Sequence, residues 1–227
     1  MSRPKLWLSW SSGKDSAWTL HKLRASGEFE VTGLLTTINQ DAGRVAMHAV
    51  REELLDRQAE AAGVPLVKIS IPAQCTNAIY EAAMSAAVAQ ARAAGVFHMA
   101  FGDLFLEDIR RYREEKMRSA GMTPIFPLWD LPTPALAREM VAGGLRAYLT
   151  CVDPKQLDRR FAGRMFDHEL LDDLPPGVDP CGENGEFHSF AFAGPMFAKA
   201  LEVTPGQILE RDGFVFADVM GASPALP

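Results

Sequence analysis

Cysteine is scarce in this chain. Its three residues, Cys75, Cys151 and Cys181, lie far apart, and no CxxC pair occurs. That excludes a disulfide framework and a zinc knuckle, and it fits a reducing compartment. Positive charge is also in short supply: 23 Lys and Arg against 29 Asp and Glu leave a formal net charge of −6. This is the wrong sign for a nonspecific grip on nucleic acid, so no DNA partner is expected. No apolar run reaches the ~18 residues of a membrane span, and no secretory apolar segment follows the N-terminal Met-Ser-Arg-Pro-Lys. A cytoplasmic protein with no membrane partner is therefore expected. Internal repeats and low-complexity segments are missing too, and the Ala-rich stretch at 82–94 reads as a packed helix.

What is present is an alternation. Lys5–Trp10, Val31–Ile38, Pro65–Ile71, Val96–Gly102, Thr123–Pro127 and Arg146–Val152 are short apolar, β-rich runs. Between them, Lys14–Ser26, His48–Ala62, Asn77–Ala94, Glu107–Ala120 and Thr133–Ala142 carry apolar residues at helical spacing, most of them stopped by glycine. Continuous apolar strands separated by such helices predict an α/β fold with a doubly wound parallel sheet covered on both faces. The rhythm changes after Asp153. A turn-rich connector, LPPGVDPCG (174–182), precedes short β-like runs at Glu186–Ala193 and Gly213–Val219. We expect a main domain over 1–153 and a smaller mixed α+β unit over 154–227 on the substrate side.

Sheets of this kind bind ligands beyond the carboxyl ends of their strands, where strand order reverses. The segment LWLSWSSGKDSAW (6–18) puts a Ser/Gly loop there, between the first strand and the first helix. A Walker loop would need Gly at position 8 and Ser or Thr at 15, and the chain has Leu8 and Asp15. What remains is still an anion site. Backbone N–H groups and the helix dipole face the ligand, Ser11, Ser12 and Ser16 add hydroxyls, and Lys14 adds a charge. The plainer reading is a helix start with Ser12 as cap and Asp15 favourable to the dipole.

Ser11-Ser12-Gly13-Lys14-Asp15-Ser16 resembles the SGGKDS loop of the PP-loop ATP pyrophosphatases, with Ser12 in place of the first glycine. Two longer stretches, FGDLFLEDIRRYREE (101–115) and CGENGEFHSF (181–190), together with Pro127-Leu128-Trp129, are similar to the diphthine–ammonia ligase family of PP-loop proteins. That family carries G-[AD]-[IL]-[FL], D-x-x-R-x-R-x-E and C-G-E-x-G-E-[YF]-[HE]-[TS] segments. The likeness runs in order along almost the whole chain.

In the 102–115 stretch Asp108, Arg111, Arg113 and Glu115 fit the pattern, and a second register of Glu107, Arg110 and Glu114 fits less completely. Asp108 and Arg111, three apart on a helix, make an exposed ion pair on one reading. On the other, Gly102 and Asp103 lie over the nucleotide and one Arg, taken as Arg111, clamps the polyphosphate. The 181–190 segment is either a Gly-rich hairpin with solvated polar residues or a working cluster. As a cluster, Glu183, Asn184, Glu186 and His188 would hold Mg²⁺ through oxygen or orient an ammonia nucleophile. His48, His21 and His98 read as capping or packing residues.

The resemblance implies a reaction. ATP and Mg²⁺ bind on Ser11, Ser12, Gly13, Lys14, Asp15 and Ser16, with Gly102, Asp103 and Arg111 nearby. A small-molecule or protein-borne carboxylate is adenylated with loss of pyrophosphate, and ammonia then displaces AMP. Lys14, Asp15, Glu183, Glu186 and His188 are the catalytic candidates, with Asp15 and Glu186 as metal ligands. In the family the acid is a modified histidine of a translation elongation factor; the residues here leave the acceptor open, and they allow a homodimer. Two rivals stand beside this reading. A PP-loop tRNA-modifying enzyme, by thiolation or ligation, would for thiolation pair Cys75 with Cys181, and a non-catalytic ATP-binding sensor would leave the 183–188 cluster without a task.

Overall fold

The computed structural model describes residues 2–39, 44–45, 50–72 and 74–222, so His48 lies outside the described residues. Up to residue 125 the elements are β1 (Lys5–Ser9), α1 (Lys14–Ser26), β2 (Glu30–Asn39), β3 (Arg44–Val45), α2 (Glu52–Ala62), β4 (Leu66–Ile71), α3 (Asn77–Ala93), β5 (His98–Ala100), α4 (Glu107–Ser119) and β6 (Thr123–Ile125). Five strands run parallel in the order β4-β2-β1-β5-β6, with the two-residue β3 antiparallel on β2. The chain builds outward from β1 through β2 and β4, then returns to place β5 on the other side of β1. The loops after β1 and β5 therefore flank the reversal point, where such sheets bind ligands.

The central strand shows why both faces are covered. Leu6 and Leu8 are fully buried in one core, while Trp7 between them belongs to the other, the two-residue alternation of a strand with helices on both sides. The first core takes Leu20 of α1 and Leu54 of α2; the second takes Val88 and Ala91 of α3 and Met117 of α4.

The second sheet follows α5 (Thr133–Ala142). It comprises β7 (Arg146–Val152), then, after the short α6 (His168–Asp173), β8 (Phe187–Ala193), β9 (Val203–Arg211) and β10 (Phe214–Gly221). These four are antiparallel in the order β8-β7-β10-β9. The fold is thus a doubly wound α/β layer with a smaller mixed unit. Two details differ from the sequence reading. Arg146–Val152 is not a sixth parallel strand but lies inside the second sheet. Thr123 and Ile125 use their backbone groups toward β5, so Pro124 faces the outer edge of β6 and withholds the donor another strand would need there. The strand β9 carried no signal because it is an edge strand, mostly exposed, with Pro205 and Gly206 in its first half.

The two sheets share one core. Leu149 of β7 and Phe187 and Phe190 of β8 lie in the same cluster as Leu8, Trp18 and Leu54. That packing brings the start of β8 against the loop between β1 and α1.

Candidate active site

The β1–α1 loop turns sharply at Ser12, whose φ of 71° lies in the left-handed region that glycine favours. Its side chain is fully buried, and its hydroxyl has no hydrogen-bond partner among the described residues. Gly13 then caps α1 without any side-chain contribution. The backbone N–H of Lys14 donates to Ser189 Oγ on β8 at 3.1 Å, and the N–H of Ala191 donates to Ser12 O at 2.9 Å. The second sheet thus holds the loop from behind. Ser11 Oγ accepts from the Gly13 N–H and lies 3.3 Å from Ser16 Oγ, both at the mouth of a cavity of about 250 Å³.

The opposite wall comes from the loop after β5. A Cβ at Gly102 would sit 3.1 Å from the backbone carbon of Asp15 and from Thr19 Oγ1, so the glycine lets this loop approach α1 without either giving way. Asp103 follows and pairs with Arg113 of α4, Nε to Oδ2 at 2.7 Å, while the guanidinium lies 4.6 Å from the centre of the Phe101 ring. The third wall is the 181–189 segment. Glu183 Oε1 accepts from the N–H of Leu104 at 2.8 Å, linking it to the second wall. A neighbouring cavity of about 310 Å³ shares Ser9, Ser11, Phe101, Arg113 and His188 and runs along Leu35, Thr36 and Thr37 at the end of β2.

The charges around the first cavity are matched unequally. Lys14 is almost fully buried between Phe166 and Phe187, and its Nζ donates to Asp15 Oδ2 at 2.8 Å and to the carbonyl of Cys181. Burial alone would lower its pKa, but the charges of Asp15 and Glu183 outweigh this and hold it above the ordinary value. Lys14 is a permanent cation. Arg113 is taken by Asp103, which leaves Glu183 as the surplus carboxylate. Burial pushes Glu183 up to about 7, opposed by the Leu104 N–H and reinforced by Asp15. Burial, helped by the Lys14 charge, lowers His188 to about 4, so its imidazole is neutral at neutral pH. Burial also pushes the Cys181 thiol far up.

The sequence that builds these walls matches known families. The sequence model of the diphthamide synthase N-terminal domain matches residues 5–124, and that of the diphthamide synthase C-terminal domain matches 133–218. The chain belongs to the diphthamide synthase family. Among curated relatives, the diphthine–ammonia ligases of Rattus norvegicus and Homo sapiens are each 29% identical over 120 residues, covering 50% of this chain and 45% of the relative. That of Danio rerio is 30% identical over 122 residues, 50% of this chain and 47% of the relative. The aligned stretch thus spans a little under half the length of these relatives.

The structure sorts the residues singled out from the family's motifs. It brings Ser11, Lys14, Asp15, Ser16, Gly102, Asp103, Glu183 and His188 to one cavity. Ser12 shapes the loop but points into the interior. Glu186, expected as a metal ligand, is turned away and buried: its carboxylate accepts from Asp179 N, Asn184 N and Asn184 Nδ2 at 2.9–3.1 Å. It organises the 181–186 turn from within. Arg111 is largely exposed and pairs with the equally exposed Asp108, away from the cavity. Arg113, two residues on, is the arginine that faces it, although the D-x-x-R-x-R-x-E pattern names both. Arg110 lies over Phe126 and Trp129 and pairs with Glu114. His21 and His98 pack on Trp18 and Phe29. Cys181 lines the cavity and Cys75 does not. No helix among the described residues is long and apolar enough to cross a membrane.

Proposed function

We propose that the chain is an ATP-dependent, AMP-forming ligase that adenylates a carboxylate and converts it to an amide with ammonia. One observation carries this beyond family membership: an anion-binding loop with a permanent cation, Lys14, opens on the same cavity as a surplus carboxylate, Glu183. A polyanion alone does not call for that carboxylate; a polyanion together with a cationic or amine co-substrate does.

In this reading the triphosphate lies against the helix start, with Ser11, Ser16, Lys14 Nζ and the first-turn N–H groups beyond that of Lys14, which Ser189 holds, as donors and Arg113 on the opposite wall. The close approach at Gly102 keeps that wall low. The acceptor carboxylate attacks the α-phosphorus, the bond to the bridging oxygen breaks, and pyrophosphate leaves. Ammonia then attacks the acyl carbon, the bond to the AMP oxygen breaks, and the proton shed by nitrogen passes to Glu183. With its pKa near 7, Glu183 is matched to proton transfer at neutral pH. Neutral His188 lines both cavities and offers a hydrogen bond to the nucleotide or the nucleophile. The layer up to β6 carries the nucleotide grip, and the second unit, which takes β7 and so begins before residue 154, supplies the wall on which the acceptor and ammonia meet.

Magnesium fits with one protein ligand. Asp15 Oδ1 is buried without a partner, and among the described residues no three His, Cys, Asp or Glu side chains converge to hold a metal. Asp15 would hold Mg²⁺ jointly with phosphate oxygens, and the ion would neutralise charge on the leaving pyrophosphate. Thiolation is disfavoured, because burial keeps the Cys181 thiol protonated and Cys75 is not at the cavity. Incubation with α-labelled MgATP, ammonium and a desalted extract of small acids and proteins tests the proposal. It predicts AMP whose yield depends on ammonium and on Lys14; formation of ADP instead would refute it.

A further inference from the structure

Gln58 of α2 belongs to none of the motifs, yet it is fully buried. A buried primary amide is costly unless its groups are matched. Here Oε1 accepts from Trp10 Nε1 at 3.0 Å, and Nε2 donates to Ser12 O at 3.0 Å and to Ala191 O at 2.5 Å. One side chain thus ties the residue after β1, the phosphate loop and β8 at a single point. The carbonyl it grips belongs to Ser12, the residue with φ of 71° and an unpartnered buried hydroxyl.

We propose that Gln58 is a positioning residue that holds the phosphate loop in its left-handed turn by gripping the Ser12 carbonyl. The inference rests on the loop being the ATP site. An L-residue with a side chain is biased against this turn by about five- to thirtyfold, that is about 1–2 kcal/mol. Without Gln58 the Ser12 carbonyl keeps only the Ala191 N–H, Ser12 drifts toward negative φ, the loop leaves its bound shape, and apparent affinity falls by the fraction of loops still competent. Glycine has no such bias, so a chain with glycine at this position would have little need of the grip. The amide at 58 and the serine at 12 are two halves of one device. Apolar side chains at 58 could fill the space but would leave Trp10 Nε1 and Ala191 O unmatched.

A double-mutant cycle tests this, using the full chain, calorimetric MgATP titration and thermal unfolding in parallel. Gln58→Leu is expected to weaken MgATP binding about tenfold, whereas in the Ser12→Gly background the same change costs less than about threefold. Equal losses in both backgrounds, or no loss in a folded Gln58→Leu protein, would overturn the proposal. Should Gln58→Leu not fold, Gln58→Met carries the same comparison, since its unbranched side chain fills the length of the amide while withdrawing the donor from Ser12 and Ala191. If neither variant folds in either background, Gln58 is a structural residue only and the proposal fails. Wild type that folds but does not bind MgATP refutes the ATP reading instead. The grip is then read from amide hydrogen exchange at Gly13 and Lys14, which Gln58→Leu must accelerate with Ser12 present and not with Ser12→Gly.

Discussion

Replacing Ser12 by glycine should make this protein more stable, which is unusual for a change at a buried position in a loop. The left-handed φ of 71° costs a non-glycine residue about 1–2 kcal/mol, and glycine removes that cost. The buried hydroxyl without a partner adds about 1 kcal/mol, which also disappears. Against these stands the extra freedom of glycine in the unfolded chain, about 0.5–1 kcal/mol. The balance is a gain of about 1–2 kcal/mol, or about 3–6 °C in Tm for a chain of this size. Ser12→Ala separates the terms: it removes the hydroxyl but keeps the strained backbone, so it should gain at most about 1 kcal/mol. Thermal unfolding and urea titration of the three proteins give the ranking Gly above Ala above Ser. A neutral or destabilised Ser12→Gly protein, or one no more stable than Ser12→Ala, would refute the strain argument.

Other consequences concern the charged residues. Glu183 keeps its proton to about pH 7 in the folded chain, higher than in the unfolded one, so its contribution favours folding below the ordinary carboxylate range and is lost as pH rises through 7. Glu183→Gln should therefore raise stability at pH 8 by on the order of 2 kcal/mol, with no gain near pH 4, while slowing ammonium-dependent turnover; a pH series of Tm values and rates checks both. Arg113→Ala should weaken MgATP binding about tenfold and Arg111→Ala less than twofold, because only the first faces the cavity; equal effects would mean the cavity is not the phosphate site. Glu186→Ala should destabilise by on the order of 3 kcal/mol through unmatched N–H groups, leaving the Mg²⁺ dependence of any surviving activity unchanged. A shifted Mg²⁺ dependence would restore Glu186 as a metal ligand.

Most of the parallel layer was legible in the sequence, because burial on both faces leaves apolar runs and helical spacing that one chain can display. The Ser/Gly loop after β1 was legible for the same local reason: strand, turn and helix are contiguous. Information that depends on pairing was not. Nothing in Arg146–Val152 says which sheet it joins, and the proline that blunts the outer edge of β6, Pro124, lies some twenty residues upstream. Glu186 and Arg111 sit in the right segments, yet a carboxylate can turn inward to its own loop and neighbouring arginines on a helix face different ways. Gln58 gave no sign at all, since its partners Trp10, Ser12 and Ala191 are brought together only by the packing of the second sheet on the first.

In the proposed reaction a carboxylate, and not water, attacks the α-phosphorus of ATP held on the Ser11–Ser16 loop. Running the MgATP, ammonium and extract reaction in ¹⁸O-labelled water and weighing the AMP tests it without knowledge of the acceptor. Attack by a carboxylate gives AMP free of solvent ¹⁸O, because its new oxygen comes from the acid. AMP carrying one ¹⁸O would show that water is the nucleophile, and would make the protein a pyrophosphohydrolase and not a ligase.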